Sequence, residues 1–207
     1  MKFGDVTEPF IKICGVRGGE DVQTAVEGGA NALGVVLTKS PRQISVEQAR
    51  NVAEQVADRA LVVGVFYGES VTEIKDAATA VGLSAIQVHG NYSKEDFAQL
   101  RETGLPLIRA VNVEAPELSV GAYGDDVMII DALKPGSGKE WDYRSLRDKH
   151  VSGNWLLAGG LSVDNVAQAL KESGAWGVDV SSGVELKRGY KSPELIERFI
   201  NIVRNIK

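Results

Sequence analysis

Three side chains that can exchange protons stand at the ends of short apolar runs in this sequence. Cys14 ends Phe-Ile-Lys-Ile-Cys, His89 ends Ala-Ile-Gln-Val-His, and Asp131 ends Val-Met-Ile-Ile-Asp. A thiol, an imidazole and a carboxyl group can each act near neutral pH when their surroundings shift their pKa values. The three residues are therefore candidates for a site that moves protons on a small molecule.

Further charged residues lie close to these candidates. Lys12 precedes Cys14 by two positions, so both side chains share one face of a strand. Lys12 could promote the thiolate form of Cys14, or it could form an ion pair inside the protein. Arg42, in Lys-Ser-Pro-Arg, is either a solvated loop charge or a fork for a carboxylate. The Pro-Gly-Ser-Gly-Lys segment at 135–139, shortly after Asp131, is expected to form a mobile lid.

The elements that would position these residues alternate regularly along the chain. Short β-branched runs predict eight strands, which are Phe10–Cys14, Ala32–Leu37, Leu61–Phe66, Ala85–His89, Leu107–Val111, Val127–Asp131, Trp155–Ala158 and Gly177–Val180. Amphipathic stretches predict helices between them, which are Glu20–Glu27, Val46–Ala57, Val71–Val81, Lys94–Glu102, Pro116–Tyr123, Tyr143–Lys149, Val163–Glu172 and Pro193–Ile206. Helix-capping patterns begin at Ser45, Ser70 and Ser93, and two more helix starts are expected at Ser162 and Ser192.

Eight strand–helix units in 207 residues predict a (β/α)₈ barrel of eight parallel strands, with residues 1–207 as one domain and residues 1–9 as a lead-in. The rival is an open doubly wound sheet, but Cys-Gly-Val-Arg-Gly-Gly after the first strand lacks its glycine pattern. Barrels carry their functional residues at the carboxyl ends of the strands. Cys14, His89 and Asp131 are therefore expected at one mouth.

Glycine-rich loops follow the seventh and eighth predicted strands, where barrels often bind phosphate. The first loop is Ala-Gly-Gly-Leu at 158–161, which leads into the helix expected at Ser162, and the second is Asp-Val-Ser-Ser-Gly at 179–183. Glycine lets backbone N–H groups and a helix N-terminus approach an anion closely. The phosphate-binding candidates are Gly159, Gly160, Ser181, Ser182 and Gly183.

Composition excludes several classes of protein. The net charge of −5 and the lack of a basic stripe argue against nucleic-acid binding. Apolar runs are too short to span a membrane, and no secretory signal is evident at the start, so a cytoplasmic enzyme is expected. A single cysteine and two histidines make a structural zinc site improbable. We therefore expect no metal and no cofactor.

An ordered set of motifs resembles the phosphoribosylanthranilate isomerase family of tryptophan biosynthesis. The motifs are Lys-Ile-Cys-Gly at 12–15, Lys-Ser-Pro-Arg at 39–42, Val-Gly-Val-Phe at 63–66, Gln-Val-His-Gly at 87–90, Gly-Ser-Gly-Lys at 136–139, Ala-Gly-Gly-Leu at 158–161 and Asp-Val-Ser-Ser-Gly-Val-Glu at 179–185. The resemblance runs from about Ile11 to the C-terminus. Each motif is only moderately specific, whereas the ordered set is very specific.

The resemblance implies an Amadori rearrangement of N-(5′-phosphoribosyl)anthranilate, with Asp131 as general acid and Cys14 as general base. It also implies that Arg42 holds the anthranilate carboxylate. By strand alternation Asp179 faces inward, where it would hold a sugar hydroxyl or pair with Lys12, and His89 would polarise or position the substrate. The expected partner is a small phosphorylated substrate, and family members occur as monomers and homodimers.

Other functions remain open at the level of sequence. The related histidine-pathway isomerase performs the same rearrangement on an aminoimidazole substrate, but it characteristically has aspartate where Cys14 stands. An isomerase that acts on both substrates is also left open by the sequence. A lyase of the indole-glycerol phosphate type would need Lys and Glu pairs that cannot be placed. A non-catalytic phosphate-binding barrel would need neither Cys14 nor Asp131.

Overall fold

Eight parallel strands close into a barrel in the computed structural model, which describes residues 9–132, 142–146 and 149–206. Neighbouring strands pair in chain order, and β8 returns to pair with β1. The strands are β1 (Phe10–Cys14), β2 (Ala32–Val36), β3 (Leu61–Phe66), β4 (Ala85–His89), β5 (Leu107–Asn112), β6 (Val127–Asp131), β7 (Trp155–Leu157) and β8 (Gly177–Val180). The predicted (β/α)₈ fold class is confirmed.

Six α-helices pack around the described barrel. They are α1 (Glu20–Glu27), α2 (Val46–Val56), α3 (Val71–Val81), α4 (Lys94–Arg101), α5 (Val166–Ser173) and α6 (Pro193–Arg204). Capping boxes confirm the starts predicted at Ser45, Ser70 and Ser93, and the Ser192 side chain accepts from Leu195 N–H. Among the described residues, no helix is long and apolar enough to cross a membrane.

The predicted helix over Pro116–Tyr123 is wrong, because these residues form turns between β5 and β6. Arg109 organises the turns from β5. Its guanidinium donates to the carbonyls of Glu117 and Ser119 at 3.0 and 2.9 Å, pairs with Asp125 at 3.2 Å, and stacks over the Tyr123 ring. Because Arg109 already donates to the Glu117 and Ser119 carbonyls, these two groups do not need the backbone N–H partners that a helix would supply.

Two other predicted helices differ from those observed. The helix expected over Tyr143–Lys149 is a 3₁₀ helix at Tyr143–Leu146, beyond which residues 147–148 lie outside the described residues. The helix expected from Val163 begins at Val166, because residues 163–165 form a turn and Asn165 is the residue that precedes the helix. Ser162 forms an isolated parallel bridge with Gly183, which links the loops after β7 and β8.

Apolar side chains fill two layers, one inside the barrel and one between the strands and the helices. Phe10, Val63, Ala85, Ile108 and Leu156 belong to the inner cluster. Ile11 and Ile13 belong to the outer cluster, so their neighbours Lys12 and Cys14 point inward, as alternation predicts. After β8 the chain forms a hairpin that the sequence did not predict, made of β9 (Glu185–Lys187) and β10 (Tyr190–Lys191).

Candidate active site

A cavity of about 1060 Å³ opens at the carboxyl ends of the strands. Nine of the ten predicted site residues line it, which are Cys14, Arg42, His89, Asp131, Gly159, Gly160, Asp179, Ser181 and Ser182. The tenth, Gly183, does not line the cavity, and a Cβ there would stand 1.8 Å from the Leu161 carbonyl oxygen. Gly183 therefore permits the loops after β7 and β8 to touch. The predicted lid at 135–139 lies outside the described residues.

Cys14 ends β1 with its thiol buried beside Lys12. Lys12 is completely buried, and its Nζ donates to Asp179 Oδ1 at 2.8 Å, so the ion pair that the sequence offered as one alternative is present. Burial raises the pKa of the Cys14 thiol, while Lys12 lowers it and Asp179 raises it further. Lys12 thus favours the thiolate as expected, but burial outweighs it. Gly34 of β2 makes room, since a Cβ there would stand 2.9 Å from Sγ.

Asp131 ends β6 on the rim of the same cavity. Its Oδ1 accepts a 2.7 Å hydrogen bond from the Ala132 amide. Burial raises the pKa of Asp131 to about 6, with the Ala132 amide and Lys12 opposing the shift and Asp179 adding to it. A carboxyl group of this kind is protonated in a larger fraction of molecules near neutral pH than an exposed aspartate, which suits a general acid.

His89 ends β4, with the Tyr67 ring set edge-on at 5.7 Å between ring centroids. Burial lowers the pKa of His89, and Asp179 partly offsets that effect. The imidazole is therefore neutral at neutral pH. It can donate or accept a hydrogen bond to a substrate, but it does not add positive charge to the cavity.

Arg42 is buried rather than solvated, and its guanidinium grips Glu185 of the hairpin. Nε and Nη2 donate to Glu185 Oε1 and Oε2 at 2.6 and 3.0 Å. Lys191 of β10, which sequence reasoning missed, donates to Glu185 Oε1 at 3.0 Å and to the Ser181 carbonyl at 2.8 Å. Burial raises the pKa of Glu185, but Arg42 and Lys191 lower it more, to about 2. Glu185 therefore stays ionised and holds Arg42 in place.

The loops after β7 and β8 present free backbone donors to the cavity. The amide groups of Gly159, Gly160 and Ser182 donate to no acceptor among the described residues. Gly159 and Gly160 have φ angles of 86° and 70°, in the left-handed region that turns N–H groups outward. The Ser181 hydroxyl donates to the Cys14 carbonyl at 3.0 Å, which joins the β8 loop to the end of β1. The paired loops have the donors that a phosphate group requires.

No group of His, Cys, Asp and Glu side chains in the described part of the chain could hold a metal ion. The closed barrel and this cavity define a (β/α)₈ protein of the class that does its chemistry at the carboxyl ends of its strands. Residues 11–202 match the family model described as N-(5′-phosphoribosyl)anthranilate isomerase. The chain belongs to that family.

Individual relatives agree with this membership. The N-(5′-phosphoribosyl)anthranilate isomerase of Streptococcus mutans is 38% identical over 197 residues, covering 94% of this chain and 98% of that protein. A phosphoribosyl anthranilate isomerase crystallised with reduced 1-(o-carboxyphenylamino)-1-deoxyribulose 5-phosphate matches with a TM-score of 0.82 and 33% identity over 94% of this chain and 98% of that one. The Thermotoga maritima enzyme, described as monomers generated from a dimer, matches with a TM-score of 0.81 and 31% identity. The match covers 95% of this chain and 99% of that one.

Proposed function

We propose that this protein isomerises N-(5′-phosphoribosyl)anthranilate to 1-(2-carboxyphenylamino)-1-deoxyribulose 5-phosphate in tryptophan biosynthesis. The observation that carries the proposal is the pairing, around one cavity, of a buried thiol at the end of β1 with a carboxyl group of raised pKa at the end of β6. Family membership supplies the substrate. The relative crystallised with a reduced form of the product supports the same ligand class.

The reaction uses Asp131 first. Asp131 protonates the ribose ring oxygen, the bond from C1′ to that oxygen breaks, and the anthranilate nitrogen donates its lone pair to form an iminium. The Cys14 thiolate then removes the C2′ proton, and the released electron pair forms a C1′–C2′ double bond and neutralises the nitrogen. The enolamine loses its hydroxyl proton, gains a proton at C1′ and becomes the ketone. Each acid–base role contributes on the order of 10²–10⁴ in rate.

Binding is divided among the remaining groups of the cavity. The free amides of the β7 and β8 loops hold the phosphate, together with Ser181 and Ser182, while Gly183 keeps those loops in contact. Arg42 holds the anthranilate carboxylate with the guanidinium N–H groups that Glu185 leaves over. Asp179 accepts from a sugar hydroxyl, and the neutral imidazole of His89 positions the substrate.

We further infer the setting in which the protein works. Residues 1–207 act as one barrel domain, without a cofactor or metal, on a small phosphorylated substrate. The protein works in the cytoplasm as a monomer or homodimer and binds no nucleic acid. Analytical ultracentrifugation across a range of protein concentrations decides between the two oligomeric states.

The decisive experiment is a turnover assay with two substrates. Phosphoribosylanthranilate is generated in place from anthranilate and phosphoribosyl pyrophosphate, and the loss of its fluorescence is followed. We expect rapid turnover of this compound and none of the histidine-pathway aminoimidazole compound. Turnover of the aminoimidazole compound alone would overturn the assignment, and turnover of neither would leave only a phosphate-binding barrel.

A further inference from the structure

Gln87 is a buried polar residue on β4 that none of the assignments above uses. Its side chain points into the barrel and lines the cavity. Gln87 precedes His89 by two residues on β4, so it lies deeper in the barrel than His89, which ends the strand at the mouth. Only 5% of its surface is exposed. Its Oε1 atom is buried and accepts no hydrogen bond from any described residue.

A buried acceptor without a partner lowers the stability of the protein that contains it. The strand neighbours of Gln87 in the two ladders are Val65 on β3 and Ile108 on β5, whose side chains carry no donor. The described chain therefore does not satisfy Oε1. Because Gln87 lines the cavity, a group on the bound molecule is well placed to do so.

The chemistry of this part of the cavity indicates what that group is. Asp179 comes from β8, on the opposite side of the eight-stranded ring from β4. Lys12 occupies its Oδ1 atom, while its Oδ2 atom has no hydrogen bond to any described residue. Gln87 and Asp179, each with an oxygen acceptor that has no described partner, thus both line the cavity. They disfavour the phosphate or carboxylate end of a ligand and favour hydroxyl donors.

We propose that Gln87 binds the 3′-hydroxyl of the substrate ribose through Oε1, an inference that rests on the proposed function. The ribose ring carries hydroxyls at C2′ and C3′. The C2′ hydroxyl becomes the ketone, so the C3′ hydroxyl is the one that persists from substrate to product. A fixed acceptor at the bottom of the cavity then orients the sugar while the chemistry takes place at the mouth.

Two variants and two substrates test the proposal. Gln87→Met keeps the length of the side chain and removes the acceptor, and Gln99→Met makes the same change on the exposed face of α4 as a control. The 3′-deoxy substrate is prepared by condensing anthranilate with 3-deoxyribose 5-phosphate. We measure kcat/KM for the wild type and both variants on each substrate, together with thermal unfolding.

With the natural substrate, Gln87→Met should lower kcat/KM by about 10- to 100-fold, because the 3′-hydroxyl loses its partner. For the wild type, kcat/KM should be lower on the 3′-deoxy substrate than on the natural one by a similar factor. For Gln87→Met, kcat/KM should differ little between the two substrates. The Tm of Gln87→Met should equal or exceed that of the wild type, since an unsatisfied acceptor has been removed. Gln99→Met should behave as the wild type on both substrates.

Unchanged turnover of the natural substrate by Gln87→Met would overturn the inference and leave the proposed function standing. An equal loss on the 3′-deoxy substrate in wild type and variant, with a lower Tm for Gln87→Met, would also overturn it and assign Gln87 to the fold. Absence of wild-type turnover of the natural substrate would instead overturn the proposed function and this inference with it. The wild-type assay on the natural substrate thus separates the two failures.

Discussion

Cys14 and Asp131 must carry opposite protonation states for the proposed reaction, and burial raises the pKa of both groups. The raised pKa of Asp131 helps it to serve as an acid. The raised pKa of Cys14 hinders it as a base, and Lys12 only partly offsets the effect. At neutral pH the reactive combination of thiolate and carboxylic acid is therefore a minor form of the free protein.

These two raised pKa values predict a pH profile of kcat/KM that is level in the middle and falls on both sides. Between about pH 6 and the raised pKa of Cys14, each gain in thiolate is balanced by a loss of protonated Asp131, so the profile is level. Below about pH 6 Asp131 is already mostly protonated. The fraction of Cys14 in the thiolate form still decreases as the pH is lowered, so activity falls. Above the pKa of Cys14 the thiolate is fully formed. The protonated fraction of Asp131 continues to decrease as the pH rises, so activity falls again. With chemistry shown to be rate-limiting, a level profile down through about pH 5 would contradict Cys14 as the base.

The thiol can be titrated directly, because Cys14 is the sole cysteine of the chain. Lys12→Met removes the cation that lowers its pKa and leaves Asp179, which raises it. We expect the thiolate to form at higher pH in the folded variant than in the wild type. The measurement is thiolate absorbance against pH, with Cys14→Ser as the blank. An unchanged or lower titration midpoint would show that Lys12 does not act on the thiol.

At the scale of elements, two segments depend on buried arginines that tie loops to the barrel. Arg42 links the loop after β2 to the hairpin through Glu185, and Arg109 links β5 to the turns before β6. Capping boxes such as Ser70 with Glu73 are local, so the sequence predicts those helix starts. The turns at 113–126 depend on contacts between Arg109 and residues 8 to 16 positions away, which no local pattern contains.

Glu185→Gln tests the link to the hairpin. It leaves the fully buried Lys191 without its carboxylate, and we expect the free energy of unfolding to fall by about 3–5 kcal/mol at neutral pH. The folded-state pKa of Glu185 is lowered from 4.5 to about 2, so this stabilisation is complete above about pH 4.5 and is lost as the pH falls through about 2. Chemical denaturation against pH measures it, and the exposed Glu197→Gln is the control. Equal stability of both variants would contradict the link.

Arg109→Met tests the turns before β6. It leaves Asp125 buried and unpaired, which should cost about 3–5 kcal/mol of stability. Arg101→Met breaks the exposed pair with the adjacent Asp126 and should cost only about 0–1 kcal/mol. Adding Asp125→Asn to Arg109→Met should restore part of the loss. Similar losses in the two single variants by urea denaturation would show that Arg109 does not organise these turns.

At the scale of the whole molecule, alternation of strands and helices was sufficient to predict the barrel and the mouth at which Cys14, His89 and Asp131 meet. What it could not predict depends on register and closure. The sequence offered two roles for Asp179, and its pairing with Lys12 follows from the register in which β8 pairs with β1 at those two residues. The unpaired acceptor of Gln87 becomes visible only once the neighbouring strands and their side chains are in place.

The assignment of Cys14 as base and Asp131 as acid is tested most directly by comparing single-site variants under saturating substrate. We measure kcat for phosphoribosylanthranilate isomerisation by the wild type, Cys14→Ala, Asp131→Ala and Asp76→Ala, which changes an exposed aspartate of α3. We expect Cys14→Ala and Asp131→Ala each to lose on the order of 10²-fold or more in kcat, while Asp76→Ala matches the wild type. Wild-type turnover in either Cys14→Ala or Asp131→Ala, with the fold intact, would contradict the assignment of base and acid.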